Sequence, residues 1–180
     1  MLKIITHPDE RLRQISKPIK AIDDSVKKLA SDMLKTIKAD SKEPDGVGLA
    51  APQVGVLKRL VLMQMPDEKI QVLINPQIIK ASKKFLSEIN KNNQYLEGCL
   101  SIPSYFGFID RPVKLKIRYT QVNGLQKTAT LTPPYSSYFS HELDHLDGIL
   151  FIDHINKSGG QLYQTDKKTN KLIPVKNPFS

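Results

Sequence analysis

The sequence predicts an α+β fold, with antiparallel or mixed β-sheets around a helix that carries His141-Glu142-Leu143-Asp144-His145. Three observations point there. Apolar residues recur at helical spacing in two places, one near each end of the chain. The middle is dominated by short strand-like stretches separated by turn signals. The length of 180 residues suits one domain with a real hydrophobic core.

Asp24 to Asp40 reads as the first amphipathic helix. Val26, Leu29, Ala30, Met33, Leu34 and Ile37 recur at three and four, and Asp23 or Asp24 can cap its start. A glycine-rich stretch, Asp45 to Gly55, follows. Leu60 to Met65 and Ile70 to Ile74 then read as strands joined by a turn at Pro66-Asp67-Glu68-Lys69. Val113, Leu115, Ile117 and Tyr119 alternate with Lys114, Lys116 and Arg118, which predicts a half-buried strand with a basic outer side. Asn123-Gly124 is a tight-turn signal, so Leu125 to Leu131 returns as the hairpin partner. The second helix starts near Pro133, with Thr132 as its N-cap and prolines in its first turn, and Gly148 ends it. The last 25 residues, 156–180, are lysine-rich with few large apolar groups and read as a loosely packed basic tail.

Composition narrows the function. No apolar run approaches the roughly 20 residues of a membrane-spanning helix, and the start resembles neither a secretory signal nor a transit peptide. A protein working in the cytoplasm, where it is made, is the expectation. The single cysteine, Cys99, forbids an intrachain disulfide and leaves packing, reactivity or metal binding as its role. The net charge of +9 reads as a lysine-rich solvated surface, with attraction to a polyanion such as ribosomal RNA as the functional alternative. No nucleic-acid-binding motif accompanies it, so no specific DNA partner is expected.

The chemistry concentrates in the second helix. His141 and His145 are four apart and share a face, so both imidazoles can point at one ion. Glu142 is one step along and can reach a water on that ion. The common downstream third ligands are missing: no Glu follows Glu142, and Phe151 stands where a third histidine would fall. Asp153 would serve only in a rarer arrangement. The upstream candidates are Cys99 and His7, and Cys99 sits between Gly98 and Leu100-Ser101 in a loop or strand edge. A thiolate with two imidazoles suits Zn²⁺ or Fe²⁺ and leaves one position open, as a catalytic site needs. His7 reads as solvated or capping, and His154 as a surface residue.

Three separated segments resemble one family. Gly46-Val47-Gly48-Leu49-Ala50-Ala51-Pro52-Gln53 resembles the GxGxAAxQ motif of peptide deformylases, Glu97-Gly98-Cys99-Leu100-Ser101 their EGCLS motif, and His141-Glu142-Leu143-Asp144-His145 their HExDH motif. The order agrees, and the resemblance covers about residues 1–155, which it marks as the catalytic domain. The resemblance implies hydrolysis of the N-formyl group from the formyl-methionine of nascent bacterial chains. It implies Cys99, His141 and His145 as ligands of one divalent ion, Fe²⁺ in the cell with Zn²⁺ or Ni²⁺ as substitutes. Glu142 becomes the acid and base, and Gln53 with the backbone N–H of Leu100 the oxyanion donors. Val47, Gly48, Leu49 and Gly98 would contact an extended substrate, and Tyr138 would narrow the methionine pocket. Ser140 stands where the family commonly has Gln, and Pro133 to Tyr138 departs from its usual small or aliphatic run. Those departures motivate a second expectation, a metal-binding paralogue that docks on ribosomes without efficient turnover. A peptidase of the HExxH type is the third.

Overall fold

The structure is a computed structural model and describes residues 1–39, 47–89 and 95–179. Nine strands form two antiparallel sheets among these residues. Strands β1 (Gly48–Ala50), β2 (Leu60–Gln64), β3 (Ile70–Ala81), β6 (Leu115–Thr120) and β7 (Gln126–Leu131) make one, in the order β1-β2-β3-β6-β7. Strands β4 (Leu96–Cys99), β5 (Ile102–Phe108), β8 (Leu162–Thr165) and β9 (Leu172–Val175) make the other, in sequence order. Helices α1 (Asp24–Ala39), α2 (Tyr135–Leu146) and α3 (Phe151–Ser158) pack on them.

The first sheet lies between α1 and α2, and the pleat divides its side chains between them. Leu60, Leu62 and Ile74 turn to one face and join Leu49 against Val26, Ala30, Met33 and Ile37 of α1. Val61, Met63, Leu73 and Ile117 turn to the other and meet Phe139 and Leu146 of α2. Asp23 caps α1: its Oδ1 accepts the Val26 N–H at 3.0 Å and its carbonyl the Lys27 N–H at 3.1 Å. The expected last helical residue, Asp40, and Asp45-Gly46 lie outside the described residues. In β6, Leu115, Ile117 and Tyr119 are buried while Lys116 and Arg118 are exposed, as the alternation predicts. The hairpin to β7 closes through Gln121 N–H to Leu125 C=O at 2.9 Å, with Gly124 at φ +84.

Three expectations are corrected. β3 does not stop at Ile74; it passes through Asn75-Pro76 by a register shift, with Asn75 at φ +49. The Asn75 side chain accepts from the Ile19 N–H and donates to the Ile19 carbonyl, so the bulge is fastened from outside the sheet. Thr132 is not the N-cap of α2. Pro133 and Pro134 offer no N–H, the helix begins only at Tyr135, and Thr132 contributes its carbonyl to the Ser136 N–H instead. At the other end Gly148 acts as read: it takes φ +73 and lets Ile149 N–H reach the Asp144 carbonyl at 2.9 Å.

The third correction concerns residues 156–180. They are not a loose tail. β8 pairs with β5, β9 pairs with β8, and Leu162 is buried with Ile102, Phe151 and Ile155. Phe179 sits edge-on to Tyr105 and His7 at centroid distances of 5.0 and 5.3 Å. A few well-placed apolar residues suffice here because the partner surface already exists on β5 and α3.

Candidate metal centre and active site

The two sheets present free edges to each other. Among the described residues β1 pairs only with β2, and β4 only with β5. Between them, floored by α2, runs a cleft of about 910 Å³ whose lining includes Val47, Gly48, Gln53, Gly98, Leu100 and Tyr138. Leu49, expected there, turns its side chain into the α1 core instead, because it is the one residue of β1 whose pleat faces that helix.

α2 carries His141 and Glu142 to this cleft with His145 buried one turn further on, and the end of β4 carries Cys99. The two imidazoles stand 4.9 Å apart at 82°, one helical turn from each other. Cys99 Sγ is 3.2 Å from His145 Nε2. His141 Nδ1 is held by Glu97 Oε2 at 3.0 Å, which leaves Nε2 as its outward donor atom. The donor atoms of Cys99, His141 and His145 all lie within 4.8 Å of one another, the one such metal-fitting group among the described residues. Asp153 instead pairs with Arg13 and accepts from the Leu150 N–H, so it is no ligand candidate. Burial pushes the Cys99 thiol up, but the charge of His145 and hydrogen bonds from both histidines outweigh it and hold the thiol well below its usual range. Burial likewise works against charge on His141, and the hydrogen bonds of Cys99 and Glu97 overcome it. A thiolate beside two imidazoles is a donor set for a borderline-soft divalent cation, so the residues fit a metal.

Glu142 lies against this group and is not part of it. Its side chain is buried, and Oε2 has no hydrogen-bond partner among the described residues. Burial first of all, opposed by the two histidines, pushes its carboxyl up to about 7. Gly48 backs the carboxylate so closely that a Cβ there would overlap Glu142 Oε1. We expect Gly48→Ala to lower kcat/KM by about 10²-fold through displacement of that carboxylate, while elemental analysis finds the metal content unchanged.

Beneath the histidines lies a charge network that sequence reading left unassigned. Arg111 donates to Glu97 through Nε at 2.8 Å and Nη2 at 3.0 Å, and to Asp144 through Nη1 at 2.7 Å. His154, read from sequence as a surface residue, completes it with Nε2 at 2.8 Å from Asp144 Oδ2. Burial would raise the Glu97 carboxyl, but the Arg111 charge and the His141 hydrogen bond bring it down to about 2. Such a depressed acid stabilises the metal-free fold above its ordinary value of about 4.5. That stabilisation, about 3 kcal/mol, is lost as the pH falls toward 2. Arg111→Ala leaves the half-buried carboxylates of Glu97 and Asp144 without their guanidinium partner. We expect it to destabilise the protein by about 3–5 kcal/mol, read from denaturant unfolding at neutral pH.

The polypeptide deformylase family profile matches residues 1–161 of the chain. The chain belongs to the polypeptide deformylase family. The peptide deformylase of Rhodopseudomonas palustris strain BisB18 is 40% identical over 161 residues, covering 86% of each chain. That of Bartonella tribocorum is 38% identical over 163 residues, covering 87% of this chain and 85% of its own. Among solved structures, the Ehrlichia chaffeensis peptide deformylase superposes with a TM-score of 0.78 at 32% identity, covering 88% of this chain and 90% of that one. The Thermotoga maritima enzyme gives 0.75 at 34% identity, covering 86% and 97%. As a deformylase, the chain is a metal-dependent hydrolase that removes the N-formyl group from nascent polypeptides. Two of the departures from the deformylase pattern lie at this site. Ser140 Oγ donates to the Ser136 carbonyl one turn back at 2.8 Å, and His145 Nδ1 has no hydrogen-bond partner among the described residues. Tyr138 lines the cleft beside Pro134 and Ser137.

Proposed function

We propose that the chain releases formate from N-terminal formyl-methionine, with one divalent ion held by Cys99, His141 and His145 and with Glu142 as acid and base. The observation that carries this reading is the convergence of three donor atoms within 4.8 Å beside a buried carboxylate, one oxygen of which has no hydrogen-bond partner among the described residues. The ion, when bound, supplies Lewis acidity that makes water a nucleophile near neutral pH and draws charge from the formyl oxygen. Glu142 takes the proton of the attacking water and returns it to the departing amine nitrogen.

Gln53 and the Leu100 N–H are assigned to the charge that builds on the formyl oxygen. The Gln53 side chain is fixed by the Ala50 N–H, which Oε1 accepts at 2.8 Å. Its Nε2 thereby turns toward Cys99 Sγ at 3.6 Å and Ser101 Oγ at 3.3 Å. A donor of this kind contributes about 3 kcal/mol in the transition state. An extended substrate fits as an added strand between the edges of β1 and β4, along the backbone of Val47, Gly48 and Leu49 on one side and Gly98 on the other. Tyr138 then bounds the methionine pocket and narrows it. Residues 1–155 form the catalytic domain in this reading.

Fe²⁺ is the proposed ion in the cell, with Zn²⁺ and Ni²⁺ accepted by the same donors. Faster loss of activity in air than under argon supports Fe²⁺; equal half-lives count against it. No described helix is long and apolar enough to cross a membrane. We place the enzyme in the bacterial cytoplasm, docking on ribosomes through its basic surface; co-sedimentation with ribosomes tests that. Formate release from formyl-methionyl peptides, assayed on anaerobically purified and metal-quantified protein, tests the activity. Metal-loaded protein that releases none contradicts it.

A further inference from the structure

The hairpin β8–β9 lies past residue 161, where the family match ends, yet it helps to build the cleft. Tyr105 of β5 stands opposite Gln164 of β8, and Gly107 opposite Leu162. That antiparallel register puts the end of β8 beside the start of β5, and β5 starts just after Cys99-Leu100-Ser101. The turn over 166–171 therefore projects at the metal end of its sheet. Thr165 and Asn170, which flank and close the turn, line the cleft together with Pro103, Ser104 and Tyr105.

The turn is held in one shape. Asp166 Oδ1 accepts the N–H of Lys168 at 3.0 Å, the N–H of Thr169 at 2.7 Å and the Thr169 hydroxyl at 2.8 Å. Asp166 N–H donates to the Lys171 carbonyl, and Asn170 takes φ +54. The one acid of the turn is thus spent on its own backbone. Lys167, Lys168 and Lys171 are exposed and form no ion pair among the described residues. The turn whose Thr165 and Asn170 line the cleft thus carries three exposed lysines against one carboxylate.

We infer that this hairpin is a specificity element: Lys167, Lys168 and Lys171 favour nascent chains that carry Asp or Glu a few residues after the formyl-methionine. The inference rests on the deformylase reading and names the substrates within it. Lysines anywhere on the surface would serve a phosphate backbone. What favours a peptide is position, because these three sit on the turn whose Thr165 and Asn170 line the groove into which the substrate threads. A single exposed pair is weak, worth about a two- to fivefold preference, and three acting within one screening length give about tenfold at low salt.

The test compares kcat/KM for formate release from formyl-Met-Ala-Ser-Glu-Glu-Glu and formyl-Met-Ala-Ser-Gln-Gln-Gln, using the metal-loaded full chain. The expected Glu-to-Gln ratio is about ten at low salt, falling toward one at roughly 0.5 M salt. In the Lys167→Ser/Lys168→Ser/Lys171→Ser variant the ratio falls to about one at every salt concentration. Because each ratio is taken within one preparation, partial unfolding of the variant cancels. A ratio of one in the unaltered chain, or an undiminished ratio in the variant, overturns the inference. So does a variant that loses only ribosome co-sedimentation, which would assign the lysines to RNA. Equal release from both peptides removes this inference alone, whereas no release from either removes the deformylase reading and the inference with it.

Discussion

Glu142→Ala should lower formate release by about 10³-fold or more while the protein keeps its full complement of metal. The size follows from losing a positioned acid and base in both proton transfers. Retention of metal follows from geometry, since the converging donors belong to Cys99, His141 and His145 and not to Glu142. A second readout does not depend on turnover. Burial raises the Glu142 carboxyl from an ordinary 4.5 to about 7 in the metal-free protein. A raised acid contributes its stability fully below the unfolded value and loses it as the pH rises through the folded one. At pH 8 the buried carboxylate is therefore a burden on the metal-free fold, and Glu142→Gln should raise its unfolding free energy by up to about 3 kcal/mol. At pH 4 the same substitution should change little. Undiminished formate release by Glu142→Ala would remove this residue from the mechanism, whatever the stability data show.

Cys99→Ala should abolish metal binding at stoichiometric metal. Loss of a hydrogen bond that merely supports a ligand lowers affinity by about 10–100-fold, and losing the thiolate itself must exceed that. The two imidazoles that remain are a poor site for a borderline-soft ion. The substitution also removes the negative charge that, together with Glu97, draws a proton onto His141 in the metal-free state. Elemental analysis of dialysed Cys99→Ala protein provides the measurement, and full occupancy would contradict the ligand assignment. Protein stability should suffer much less than in Arg111→Ala, because alanine leaves no buried charge unpaired.

The parts of the fold visible in the sequence were those governed by local periodicity. The stripe from Val26 to Ile37 marks α1 because every third or fourth side chain meets one sheet. The alternation from Leu115 to Tyr119 marks β6 because one face is buried and the other wet. His141 and His145 were legible because a helix fixes their relation without help from the rest of the chain. Cys99 was reachable by chemical elimination and by family resemblance, but no local rule says that β4 folds back to α2. Relations of the last kind account for what was missed. Arg111 and His154 join Asp144 across 33 and 10 residues of sequence, and only tertiary structure brings their charges into register. Residues 156–180 read as a tail because composition measures how many apolar groups a segment has. Their order depends on a waiting edge, β5, that composition does not reveal.

The proposed chemistry requires a thiolate and two imidazoles, the latter one helical turn apart, to share a single ion. X-ray absorption at the metal edge of the zinc-loaded chain measures that directly. The expected first coordination sphere has one sulfur at about 2.3 Å and two imidazole nitrogens at about 2.0–2.1 Å, with one further light-atom ligand. A spectrum with no sulfur scatterer, or with only one imidazole, would contradict it.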